Sequence, residues 1–213
     1  MTARHHPTFA TISSYALGAL PLGPGLAVNL HLETCLKCRS VVQEIEEEEG
    51  RRMLSLPGAA LVPGALQRVL AHIAVAAPTP VSPHIHAPLP GDVRMPPALE
   101  TFGLSPPIHL TPDTWIAHLN APRDGGWRTY LFCAPADTTL PRHGHMGDEM
   151  IVVLEGGFDD GRPFASGDFA ENRTGFVHEM RVSPMGRLVA LISSAGAIEW
   201  RTADRDIGAL LDI

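Results

Sequence analysis

Two short stretches of this chain carry residue types and spacings that suit metal binding. In HLETCLKC, His31, Cys35 and Cys38 stand at H-x3-C-x2-C spacing. Zinc takes four donors in a tetrahedron and favours thiolate and imidazole. On a helix His31 and Cys35 share a face, and a helix end near Cys35 would let a C-x-x-C turn bring both sulfurs to one ion. Three donors do not close a structural site, and the neighbouring His5 and His6 are the available fourth. A redox-active C-x-x-C expects a βαβ setting, which the surrounding pattern does not offer. In RHGHMGDE, His143 and His145 are two apart and so point to one face of a strand, with Glu149 at the same parity after an MGD turn. His178, in TGFVHEM, is the candidate fourth ligand from another strand. Three imidazoles and a carboxylate suit Zn, Fe, Mn or Ni, so donor type alone does not select the metal.

The elements that must position these groups change character along the chain. Phe9, Ile12, Ala16 and Leu20 recur at helical steps, and GPG at Gly23–Gly25 is expected to break that run. A second helix is expected over Leu26–Glu33, and a third carries Val41, Val42 and Ile45 and ends in the acidic run Glu46–Glu49. Pro63 opens a fourth, with Leu66, Val69, Leu70 and Ile73 in one stripe. Core packing is the first use expected of that stripe, and insertion into a partner's groove the second. So short a helical segment has a small core, which a metal would staple.

Nine of the twenty prolines then fall between Pro78 and Pro107. Proline removes amide donors and disfavours helix in the residue before it, so this stretch reads as an extended linker. Beyond it, TWIAHLN, WRTYLFCA, EMIVVLEGG, VHEMRVS and RLVALISS are short β-branched or aromatic runs separated by turns, the pattern of an all-β sandwich or barrel. Cys133 lies in one of these runs and reads as a buried apolar residue. The second H-x-H, His84 and His86, sits among prolines without a carboxylate partner and reads as solvated.

Bulk properties narrow the partners. Hydrophobic content of 45% and charged content of 18% describe a globular chain. A net charge of −7 argues against direct nucleic-acid binding through phosphates. No apolar run reaches membrane-spanning length, the N-terminus lacks a signal-peptide core, and three cysteines do not make a disulfide framework. The expectation is a cytoplasmic protein with reduced thiols and no membrane contact.

RHHPTF, SYALGAL, NLHLETCLKC and GALQRVLAHI together resemble the zinc-binding anti-sigma domain, and nearly the whole chain resembles ChrR-type anti-sigma factors, in which that domain precedes a cupin. The cupin motif G-x5-H-x-H-x3-E-x6-G is met by His143, His145, Glu149 and Gly156, with Asp137 in place of the first glycine. The motif G-x5-P-x-G-x2-H-x3-N is met by Gly167, Gly175 and His178, with Arg173 and Val182 replacing proline and asparagine. The resemblance implies two domains. A small all-α domain (1–85) would be stabilised by zinc on His6, His31, Cys35 and Cys38. A Pro-rich linker (86–105) would lead to an all-β cupin jelly-roll barrel (106–205). The barrel would hold a second divalent metal on His143, His145, Glu149 and His178, zinc first and Fe, Mn or Ni next. It further implies an extracytoplasmic-function sigma factor as partner, with the barrel sensing an oxidative signal such as singlet oxygen or peroxide, and no catalytic residue. The competing expectation is a cupin metalloenzyme of dioxygenase or isomerase type with a zinc interaction domain.

Overall fold

A computed structural model describes residues 3–75, 89–121 and 124–200. Four helices come first: α1 (Phe9–Ala16), α2 (Leu22–Thr34), α3 (Leu36–Ser55) and α4 (Ala65–Val75). A 3-10 turn (Pro90–Asp92) and a short α5 (Pro97–Glu100) follow. The strands are β1 (Ile108–His109), β2 (Trp115–His118), β3 (Trp127–Ala134), β4 (Thr139–His145), β5 (Glu149–Glu155), β6 (Gly157–Asp159), β7 (Pro163–Ala165), β8 (Phe169–Asn172), β9 (Val177–Val182), β10 (Leu188–Ala195) and β11 (Ile198–Trp200). They form two antiparallel sheets, ordered β1-β2-β3-β10-β5-β8 and β11-β4-β9-β6-β7. The fold is therefore the expected one, a helical unit followed by a cupin-type β sandwich.

The six-stranded sheet is buried on both faces. Phe132, Ile151, Val153, Ala190 and Ile192 point inward to the second sheet. Leu131, Cys133, Val152, Val189 and Leu191 point outward into a core shared with Leu26, Val28 and Leu30 of α2. This is why β5 and β10 read as unbroken apolar runs rather than as alternating ones. Covering that face makes α2 apolar around most of its circumference, as a helix enclosed by its neighbours should be.

GPG does not break a helix. Gly23, Pro24 and Gly25 form the first turn of α2, where the missing proline N–H has no intrahelical role. Gly23 lies so close to the sheet that an added Cβ would stand 2.1 Å from Thr129 Oγ1 and 2.5 Å from Ser193 Oγ. The preceding break falls earlier, after Ala16, with Gly18 at φ +66°. The third helix runs past Glu49 to Ser55.

The stripe on α4 is not core. Leu66, Val69, Leu70 and Ile73 are 60, 55, 54 and 64% exposed, so among the described residues the expected core packing is not found. The proline-rich stretch is packed where it is described. Val93 and Leu99 are buried in the shared core, and Leu104 bridges to Leu119. His84 and His86 lie outside the described residues.

Candidate metal centres

The first cluster forms where α2 turns into α3. Cys35 alone separates the two helices, closing the first and opening the second in an extended conformation (φ −106°, ψ 97°). That one-residue corner sets His31 in the last turn of α2 against Cys38 in the first turn of α3. The segment before α1 supplies His6. Donor atoms of His6, His31, Cys35 and Cys38 all lie within 4.8 Å of one another. His31 Nε2 is 3.3 Å from Cys38 Sγ, and His6 Nδ1 is 3.4 Å from both Cys35 Sγ and Cys38 Sγ. A tetrahedral zinc with ordinary Zn–N and Zn–S bonds has an N···S edge of about 3.5 Å, so this donor set fits that ion. His5 turns away, its Nε2 reaching the Pro163 carbonyl at 3.0 Å and its ring meeting Phe164.

The surroundings of this cluster come from the barrel. His31 Nδ1 lies 2.7 Å from the Gly167 carbonyl, and Phe169 places its ring edge-on to the imidazole. Asp168 Oδ1 accepts the Arg4 and His5 amides at 2.5 and 3.0 Å, while its Oδ2 accepts Ala165 N–H at 2.9 Å. Phe169 N–H in turn donates to the His5 carbonyl at 3.1 Å. Gly167 holds φ +89°, and an added Cβ would sit 3.0 Å from Thr34 Oγ1. These contacts fix both the His31 ring and the segment bearing His6, as outer partners of metal-binding imidazoles do.

The second cluster lies between the sheets. Within β4 the ladder to β9 is irregular between Leu140 and His143, where Pro141 can forgo a ladder bond. The Pro141 carbonyl turns onto His143 Nδ1 at 2.8 Å, and cross-strand pairing sets His143 opposite His178. His178 Nε2 lies 3.1 Å from His143 Nε2 and 3.0 Å from His145 Nε2. Three ring nitrogens converging so closely are a ready cation site, and they form the second group able to hold an ion. Glu149, the fourth expected ligand, stands at the edge with Oε2 3.4 Å from His145 Nε2 and accepting Asn172 Nδ2–H at 3.0 Å. Asp137 adopts φ +62° where the motif has glycine, so the turn keeps its shape despite the substitution.

Burial sets the charge state of both clusters without a metal. It pushes the Cys38 thiol up to about 12, with Cys35 adding to the shift, and lowers His31 and His6. It also brings His143 and His145 down to about 4 and raises Glu149. Neutral imidazoles offer lone pairs to a cation, and a thiol that binds zinc releases its proton.

Sequence spacing did not reveal Gly167, Asp168, Asn172 or Asp160 as partners of these sites. Asp160 lies in the β6–β7 turn with its carboxylate buried, 3.6 Å from His178 Nδ1. Gly167 belonged to a recognised motif, but as a turn residue. Cys133 is buried in β3, apart from both clusters.

Residues 105–195 match the family described as the ChrR cupin-like domain. The anti-sigma-E factor ChrR of Cereibacter sphaeroides is 30% identical over 175 residues, 79% of this chain and 78% of that protein. A crystal structure of Rhodobacter sphaeroides SigE in complex with the anti-sigma ChrR superposes with a TM-score of 0.70 at 27% identity, over 91% of this chain and 100% of the matched one. Among the described residues no helix is long and apolar enough to cross a membrane.

Proposed function

The chain belongs to the ChrR family of anti-sigma factors, and on that premise we propose that it binds and holds inactive an extracytoplasmic-function sigma factor in the cytoplasm. The helical unit, residues 1–85, is the sigma-binding part, and the cupin, residues 106–205 beyond a connector of 86–105, is the sensing part. Zinc on His6, His31, Cys35 and Cys38 supports the fold of the clamp. A divalent metal on His143, His145, Glu149 and His178, zinc first, supplies the site at which an oxidant such as singlet oxygen or an organic peroxide is perceived. The protein is regulatory, and no catalytic residue is assigned.

One observation carries the binding role. The apolar stripe of α4 is exposed over its whole described length, and Met53, Leu54, Leu56, Leu61 and Val62 extend exposed apolar surface back along the chain. An amphipathic helix left without a partner among the described residues suits insertion into a groove on another protein. The test is co-purification and promoter repression with the sigma factor encoded beside it. Leu66→Asp with Leu70→Asp is expected to weaken binding at least about a hundredfold, the cost of removing two anchors from an interface, with zinc content and melting temperature unchanged. A zinc-loaded protein that binds no such sigma factor rules the proposal out.

A further inference from the structure

We infer that Asp160 is a positioning residue of the barrel site, holding His178 so that its Nε2 faces the ion. The turn between β6 and β7 folds this carboxylate under the second sheet, leaving the side chain fully buried. Among the described residues neither Asp160 oxygen has a hydrogen-bond partner, and nor does His178 Nδ1. Arg162 Nε stands 3.8 Å from Oδ1 with its side chain half exposed. A buried carboxylate without a donor is costly, and so is a buried imidazole nitrogen without a partner. The two orphans face each other at 3.6 Å, between Asp160 Oδ2 and His178 Nδ1.

The tautomer explains why they are placed so. An imidazole that gives its Nε2 lone pair to a cation carries its proton on Nδ1. At His178 that proton points at Asp160. His143 shows the same arrangement with a carbonyl, its Nδ1 lying 2.8 Å from Pro141 O, and His31 does so with Gly167 O at 2.7 Å. At His178 the acceptor is a carboxylate, which also makes the ring a stronger donor to the ion. Asp160 therefore ties the β6–β7 turn to occupancy of the site. The turn is otherwise held by short local bonds, such as Gly161 N–H to Asp159 Oδ1 at 2.7 Å.

This rests on the barrel cluster binding a metal, and the experiment separates the two. Full-length protein loaded with Zn2+ is titrated with a chelator while metal per chain is counted. Asp160→Ala is expected to give up its barrel zinc about 10–100-fold more readily, with the zinc on the helical cluster unaffected. Asp160→Asn keeps an oxygen facing Nδ1 and should recover part of that loss. A role in packing alone would lower the melting temperature of the metal-free and loaded proteins equally and leave the chelator midpoint unmoved, and that result overturns the assignment. Should the alanine variant not fold, the visible spectrum of Co2+ in Asp160→Asn is compared with that of the unaltered protein. A shifted ligand-field band supports the contact, and an unchanged spectrum overturns it. If the unaltered protein takes up no barrel metal, the proposed sensing site falls and the role of Asp160 with it.

Discussion

The cluster around Cys38 takes three donors from one corner of the chain and borrows its surroundings from the barrel. The cluster around His178 draws on β4, β5 and β9. The first has little hydrophobic core of its own, because the apolar surface of α2 is spent against the sheet. The second lies beside a packed interior that includes Phe132, Phe158 and Phe164. A metal at the first site would thus be part of the fold, whereas one at the second can change state while the barrel persists. Such a division suits a clamp joined to a sensor. Strand β8 and the turn before it touch both regions, since Gly167, Asp168 and Phe169 meet the helical cluster while Asn172 holds Glu149.

The largest expected effect comes from removing each donor set in turn. Cys35→Ser with Cys38→Ser should lower metal content from two per chain to one, reduce the far-ultraviolet helical signal and abolish sigma binding. Apparent zinc-binding energies of about 10–16 kcal/mol in small zinc-stabilised peptides set the scale. His143→Ala with His178→Ala should also leave one metal, yet keep sigma binding and lose release by oxidant. Loss of sigma binding in both variants would erase the contrast between the regions.

A smaller effect tests whether the barrel completes the helical cluster. Asp168 is buried and accepts three backbone amides, two of them from the segment that bears His6. Asp168→Ala strands those donors, at about 1–3 kcal/mol for each that stays buried. The expected outcome is faster zinc loss from the helical cluster, read with a colorimetric chelator, while the barrel metal stays. Unchanged zinc release would mean that the helical unit holds its own site without help.

What the sequence disclosed follows from range. His31, Cys35 and Cys38 are legible because a single helix corner gathers them. His143, His145 and Glu149 are legible because a strand and a turn fix their parity. Asp160 was not legible, since only the folding back of β6–β7 brings it behind a histidine eighteen positions further on. GPG misled because local propensity treats it as a break, whereas docking on Thr129 and Ser193 makes Gly23 the residue that lets α2 approach the sheet. The unbroken apolar runs of β5 and β10 did carry a signal of burial on both faces, and α2 is what covers the outer one. On α4 periodicity identified the apolar stripe correctly, but amphipathicity does not say whether the partner lies in the same chain.

The smallest effect concerns the acidic run on α3, where the helical unit meets solvent rather than the barrel. Glu48 and Glu49 already pair with Arg51 and Arg52, at 2.7 and 2.8 Å, and these pairs are solvent-exposed. Exposed pairs of this kind add little to the stability of a helix. Their carboxylates are therefore partly offset before any partner arrives. Among the described residues Glu46 and Glu47 form no ion pair this close, and Glu47 accepts a Gln43 amide at 2.8 Å. If the run steers a basic sigma factor, Glu46→Gln with Glu47→Gln should slow association a few-fold at low salt and leave dissociation unchanged, because charge at an interface rim acts on encounter more than on the bound state. The difference should fade once added salt shortens the screening length to about 3 Å, near 1 M. Glu48→Gln with Glu49→Gln should slow association at least as much, since it removes the same charge and leaves Arg51 and Arg52 unpaired and repelling the same partner. Equal association rates for all variants at low salt would reduce the run to a solvated face and leave α4 as the contact that matters.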